Sequence, residues 1–250
     1  MIGRPEVTES REDISRFMVH LTRDDSNEWD EGQSAKRNFL AIYNDRKILA
    51  LKAHCLHAKK VQGFLQAKFN VACFSEMPLA AIKHVTQPIA GRQIQLEPFG
   101  FVFKRDFIIS KGGQQVTYVN SYEGNDAVRE GYDSIFEIAA RKHFTGKMWK
   151  TLPFVSAMHD RCDFTWEREW RVLGNVEFNY SDLVCVVLPE EGHGPLKFSL
   201  TQKGIAFVSP EWSLEKIVES LADQQRRTRH LNPPATDLKS LLRRTAKASS

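Results

Sequence analysis

Residues 163–174 read DFTWEREWRVLG, and the conformation given to them decides fold and site together. If 166–173 is a β-strand, successive side chains alternate between its faces. Trp166, Arg168, Trp170 and Val172 then share one face, and Glu167, Glu169 and Arg171 share the other. Two carboxylates and a guanidinium in one row, beside two tryptophans, suit either a site that handles a cation or a solvated strand face.

The composition around this stretch is that of a globular protein. Of 250 residues, 42% are hydrophobic and 26% charged, enough for one large domain or two small ones with a substantial core. The opening MIGRPEVTESRED has no apolar segment of the secretory type, and the longest apolar run, Leu183 to Leu188, is too short to span a bilayer. Cys55, Cys73, Cys162 and Cys185 are scattered with no CxxC pair, as expected of reduced thiols in a cytoplasm. The net charge of +4 is uneven. Leu221 to Ser250 carries seven Lys/Arg and two Asp/Glu, which leaves the first 220 residues at about −1. The body is neutral and the tail basic, which is little support for nucleic-acid binding by itself.

Periodicity gives the elements. FMVHLT (17–22) reads as a strand. A helix follows near 34–48 with Phe39, Leu40, Tyr43 and Ile48 inward, then a strand at 70–76 and a short helix from Pro78 through Val85. FGFVFKRDFII (99–109) and QQVTYVN (114–120) flank SKGG and read as a hairpin. Residues 126–143 read as a helix with Val128, Ile135, Ile138 and Ala139 inward, and strands are expected at 166–173, 182–189 and 204–209. Ser209-Pro210-Glu211 reads as a helix start, with Leu214, Ile217, Val218 and Leu221 as the apolar stripe. DLKSLLRR, after Pro233-Pro234, is either a last helix or a mobile segment. The expected fold is α+β, with a domain over 1–228 and a basic C-terminal arm over 229–250.

Three polar clusters fall on expected strands: His20-Leu21-Thr22, Cys73-Phe74-Ser75-Glu76, and Glu167-Arg168-Glu169 with Arg171. A polar strand face needs partners or lines a cleft. Each cluster also has a structural reading: a satisfied histidine, a strand end whose Ser75 caps the next helix, and an amphipathic strand with tryptophans in the core. His54-Cys55-Leu56-His57 carries metal-capable side chains without a matching distant pair, so zinc is not expected there. His143, His159, Asp160 and Cys162 lack a strand–turn–helix elbow, and Lys111-Gly112-Gly113 lacks the phosphate-loop spacing.

VHLT followed by RNFLAIYNDRKILA resembles the opening of ADP-ribosyltransferase-fold families, DarT-like nucleic-acid ADP-ribosyltransferases among them. ACFSEMPL, FGFVFKRDFIISKGGQQVTYVN and WEREWRV resemble the AbiGi-type abortive-infection proteins of phage defence, over roughly residues 17 to 220 and in the same order. The resemblance implies two small antiparallel sheets with an NAD cleft between them. His20, with Thr22 beside it, would contact the adenosine-side ribose, and Ser75 would sit on the middle strand. Tyr118 would stack on nicotinamide, and Glu169 would be catalytic. Glu76 would be a second acid beside the cofactor. Cys73-Phe74-Ser75-Glu76 stands where such transferases carry Ser-Thr-Ser.

The chemistry has a physical logic. Breaking the nicotinamide–ribose bond builds an oxocarbenium-like cation, which a fixed carboxylate such as Glu169 stabilises. Glu167 would take the proton of the incoming nucleophile, and Arg171 would pair with pyrophosphate or hold Glu169 ionised. The expected protein is a cytoplasmic NAD-dependent ADP-ribosyltransferase. It would modify a macromolecule, nucleic acid favoured, as a toxin in phage defence with an antitoxin or chaperone as partner and no membrane. Two alternatives stand beside it. One is a non-catalytic antitoxin or sensor that keeps the fold and fills the cleft with Trp166, Trp170 or Phe74. The other is a nuclease using Glu76, Glu167 and Glu169 around Mg²⁺.

Overall fold

Valine, phenylalanine and alternating polar residues build a central sheet whose strand order places the expected motif strands side by side. The computed structural model describes residues 14–24, 34–88, 95–122, 124, 126–158 and 164–231. His159, Asp160, Cys162 and DLKSLLRR lie outside them, as do all but the first three residues of the 229–250 arm. The architecture is mixed α+β. One eight-stranded sheet runs in the order β12 (Phe207–Val208), β11 (Leu183–Val187), β5 (Leu96–Lys104), β1 (Phe17–Arg23), β4 (Asn70–Glu76), β9 (Glu169–Leu173), β6 (Gln114–Gln115), with β3 (Leu51–Lys52) also on β4. Its pairings are antiparallel except β11–β12. Two two-stranded ladders accompany it: β2 (Lys47–Ile48) with β10 (Val176–Glu177), and β7 (Thr117–Asn120) parallel to β8 (Val155–Met158).

The two separate sheets implied by the resemblance are not found among the described residues: one continuous sheet holds all the motif strands, and the junction of β1 with β4 within it is short. β1 and β4 are joined by only two registered pairs, Met18 with Glu76 and Val19 with Ser75, while β1 continues along β5 to Arg23. Further back, β4 is paired at Val71 and Asn70 by β3. β9 and Gly174 hold the other side of β4 over the same stretch. A seam therefore opens on one edge of β4 at residues 72–74.

One sheet face carries Met18, Phe74, Phe101, Phe103 and Val172, covered by α1 (Ala35–Asp45) through Phe39 and Tyr43. The other face divides. Val19, Val102 and Cys185 pack beneath α2 (Ile82–Thr86) and Ile217 of α6 (Leu214–Leu231). Val71 and Phe69 pack against α4 (Ala127–Arg141) and the 3-10 turn Met148–Phe154.

Several expectations are corrected. The hairpin over 99–120 does not form. β5 stops at Lys104 and the chain enters α3 (Arg105–Ser110), because Asp106 supports the first turn and Ile108 is wholly buried. Gly112 at φ +83° and Gly113 close that helix. A Cβ on Gly113 would lie 2.5 Å from Ile108 Cγ2 and 2.7 Å from Ile108 O. Residues 165–167 form a 3-10 turn, and Arg168 is left-handed at φ +46°, so the strand begins at Glu169. Trp166 is consequently half-exposed rather than a core residue. α6 starts four residues later than expected, with the Ser213 hydroxyl accepting from Lys216 N–H. Its Ile217 is buried and Leu221 partly so, but Leu214 and Val218 are 61% and 55% exposed. In α4 the inward stripe is Tyr132, Ile135, Phe136, Ala139 and Ala140, and Val128 and Ile138 face out. The helix near 34–48 ends at Asp45 and Arg46 takes φ +52°, leaving Ile48 buried on a strand.

Candidate functional site

The register decides which polar residues meet. Directly paired residues share a face, and neighbours along a strand alternate. Ser75 pairs with Val19 on one side and Glu169 on the other, and Cys73 pairs with Arg171. Cys73, Ser75, Glu169 and Arg171 therefore form one polar patch on the α4 side of the sheet.

Arg171 is the centre of that patch. Its guanidinium is 2% exposed, and its donors are all directed inward. Nε donates to Glu169 Oε1 at 2.9 Å and Nη2 to Glu169 Oε2 at 2.8 Å. Nη1 donates to the Pro153 carbonyl at 2.6 Å, and Nη2 also lies 3.1 Å from the His54 carbonyl and 3.0 Å from Ser156 Oγ. Burial opposes the charge on Arg171, but the carboxylate of Glu169 and its hydrogen bonds outweigh it, so the guanidinium is held more basic than usual. Arg171 thus holds Glu169 and is too enclosed to receive a pyrophosphate.

Tyr118 lies on β7 at the position paired with Ser156, which places it beside the same patch. Its hydroxyl is buried and has no hydrogen-bond partner among the described residues. Burial raises its pKa, and the carboxylates of Glu169 and Glu167 raise it further, so the phenol stays protonated as a donor. The Cys73 thiol is likewise pushed up, first by burial and then by Glu169, and is a poor nucleophile. Glu167 comes from the 3-10 turn before β9 and is half-buried.

The other expected residues belong to the opposite face. His20 is one position beyond the Val19–Ser75 pair, so alternation sends it toward Phe74, whose ring centroid is 5.7 Å away. Its Nδ1 lies 2.8 Å from the Cys73 carbonyl, within the seam. A carbonyl only accepts, so Nδ1 carries the proton and Nε2 keeps its lone pair. Burial lowers the pKa of His20, which keeps the ring neutral. The Thr22 hydroxyl is directed at Ala35 O (2.8 Å) and Phe99 O (3.1 Å), tying β1 to α1 and β5, and is buried away from any ligand.

Glu76 is a structural anchor. Its nearly buried carboxylate accepts from Arg168 Nη2 at 3.2 Å and Trp170 Nε1 at 3.0 Å, with Arg105 Nη1 at 3.6 Å. Its place in a cofactor site is therefore corrected. The nuclease arrangement falls with it, since Glu76 and Glu169 lie on opposite faces. Among the described residues no three His, Cys, Asp or Glu side chains are grouped to hold a metal ion. His20, Ser75 and Glu169 occupy neighbouring strands but do not line one wall.

Sequence reading missed Ser156 and the carbonyls of His54 and Pro153, which complete the shell of Arg171, and Arg105, which completes that of Glu76. Two carbonyls carry no side-chain signal, and Ser156 lies in an ordinary apolar strand. No helix of the described residues is long and apolar enough to cross a membrane. No protein-family model, curated protein or solved structure matches the chain.

Proposed function

We propose that the protein is an NAD-dependent ADP-ribosyltransferase that modifies a macromolecule, nucleic acid favoured, as a toxin of bacterial phage defence. The observation that carries this reading is the adjacency of the strands bearing His20, Ser75 and Glu169, with the sheet splitting beside the first two. Because His20 and Glu169 lie on opposite faces, a dinucleotide reaching both would have to pass through the sheet at the seam beside Cys73. His20 Nε2, a neutral acceptor, takes a ribose O–H at one end. At the other, Glu169 keeps the lone pairs that Arg171 leaves unused and accepts the 2′-hydroxyl of the nicotinamide ribose.

The C1′–N bond breaks and its electron pair neutralises the pyridinium nitrogen of departing nicotinamide. The fixed charge of Glu169 stabilises the cation left at C1′. The acceptor adds to C1′ and gives its proton to Glu167. The unpaired Tyr118 hydroxyl is a ready donor for the carboxamide. Arg171 acts as a positioning residue, since a bidentate guanidinium fixes the carboxylate plane.

A non-catalytic reading, a partner-binding antitoxin or sensor, draws on a specific observation. Phe74, only 1% exposed, packs against the His20 ring from inside the core, and Trp170 is committed to Glu76. Release of labelled nicotinamide from NAD, with RNA, DNA and cell protein offered separately, discriminates the two. Release that requires one acceptor and vanishes in Glu169→Gln supports the transferase. No release with any acceptor gives the partner-binding reading.

A further inference from the structure

The surface beside the Arg171 cluster has a one-sided charge that the reaction centre does not use. Residues 141–150, RKHFTGKMWK, hold four Lys/Arg and no carboxylate, and residues 46–75 are also free of Asp and Glu. The two segments meet in space. Phe69 lies against Phe144 and Trp149, and Lys68 Nζ donates to the Phe144 carbonyl at 3.1 Å. The loop is built to stay in place. His143 and Phe144 both take left-handed backbone conformations, φ +50° and +52°, a strain offset by burying the Phe144 ring between Phe69 and Phe136. Phe144 inward leaves Lys142, Lys147 and Lys150 fully outward, together with Lys59.

Of the acids on α4, Asp133 is engaged with Lys60 and His57, and Glu137 with Arg141. Lys59, Lys142, Lys147 and Lys150 have no carboxylate partner among the described residues. Three residues after Lys150 stands Pro153, whose carbonyl holds Arg171. At a rise of about 2 Å per residue in a 3-10 turn, Lys150 is roughly 6 Å along the chain axis from Pro153.

We propose that this surface binds the sugar–phosphate backbone of a nucleic-acid strand and delivers it to Glu169. The proposal rests on the transferase reading for its second half only. Lysine ammonium groups meet phosphates as point charges, and the Phe144 and Trp149 rings of the loop are both covered, with Lys68 Nζ 5.7 Å from the Trp149 centroid. With no exposed Phe, Tyr or Trp in the loop to stack a base, recognition is mainly through charge and largely independent of sequence.

The test is fluorescence anisotropy of labelled 20-nucleotide RNA and DNA strands of two unrelated sequences, across a salt series, with polyglutamate as an acidic-polypeptide control. The full-length protein is compared with Lys142→Glu/Lys147→Glu/Lys150→Glu. The wild type binds a strand with a steep negative salt slope and little difference between sequences. The triple variant loses at least about tenfold in affinity at low salt, and its slope is shallower by roughly 2–3.

Equal binding by the triple variant, no binding of RNA or DNA by the wild type, or a preference for polyglutamate overturns the proposal, the last in favour of an acidic protein partner. Nicotinamide release from NAD, with RNA, DNA and cell protein offered separately as acceptors, is measured in parallel. Its absence in the wild type refutes the transferase reading and leaves strand binding to be judged by anisotropy alone.

Discussion

Replacing Arg171 by methionine removes the centre of the buried patch while keeping an unbranched side chain of similar length. The substitution leaves the Glu169 carboxylate, 15% exposed, facing Cys73 and Ser75 with no counter-charge. The Pro153 carbonyl loses the 2.6 Å bond from Nη1, whereas the His54 carbonyl keeps one donor, Ser156 Oγ at 3.0 Å. Breaking a buried ion pair by removing one partner costs about 3–5 kcal/mol. At about 2–4 °C per kcal/mol for a chain of this size, Arg171→Met should melt roughly 6–20 °C below wild type. Glu169→Gln keeps one acceptor oxygen and should cost only about 1–3 kcal/mol. If the uncompensated carboxylate is the main term, the double variant is more stable than the sum of the single losses by about 2 kcal/mol. Urea unfolding followed by tryptophan fluorescence at pH 7.5 gives all four values. A cost below about 1 kcal/mol for Arg171→Met, or strictly additive losses, would refute the reasoning.

Three further outcomes are expected. Glu76→Gln, which deprives Arg105 and Arg168 of their counter-charge but leaves an acceptor for Trp170, lowers stability by about 2–3 kcal/mol. It leaves nicotinamide release per folded molecule unchanged; a selective loss of release at full stability would return Glu76 to the reaction centre. Gly100→Ala places a Cβ 2.5 Å from the His20 carbonyl. It should cost about 1–3 kcal/mol by forcing β1 off β5, and a neutral result by thermal melting would contradict the close approach. His57 is wholly buried, and burial lowers its pKa although Asp133 Oδ1, 3.0 Å away, pulls it up. The unfolded chain therefore takes the proton first, so the stabilisation is complete above about pH 6.5 and lost as pH falls through the lower folded value. Melting from pH 7.5 to 5 should show this decline at up to about 1.4 kcal/mol per unit, and His57→Gln should flatten it. An unaltered slope in the variant would assign the dependence to other groups.

Elements with a strong local pattern were legible from sequence, and those set by long-range partners were not. Phe17 to Thr22 and Asn70 to Glu76 are short apolar-rich runs with polar ends and are strands; Phe39 and Tyr43 are spaced as one helix face and are buried together. RDFIIS has as much strand as helix character, and its fate depends on Ile108 filling a hole in the core beneath β5. WEREW alternates perfectly, but the left-handed Arg168 at its centre is fixed from outside the stretch, by Glu76 92 residues earlier. The pairing of Glu169 with Arg171 was readable from their i, i+2 spacing. That His20 and Glu169 lie on opposite faces was not, because it depends on the parity of two strand registers. The shell of Arg171 was equally hidden, with its donors reaching carbonyls 18 and 117 residues away.

The seam has a consequence for how the molecule is made. β1 leaves the ribosome first among the strands, yet it is central and must wait for β5, complete only at Lys104. β4 waits longer still, since β9 does not exist until Leu173 has been synthesised. Until then β4 presents Ala72 to Ser75 as a bare edge, with Phe74 available to any neighbouring chain. Half-made chains are therefore the sticky form of this protein, and the last strand to close the edge is the one that brings Glu169.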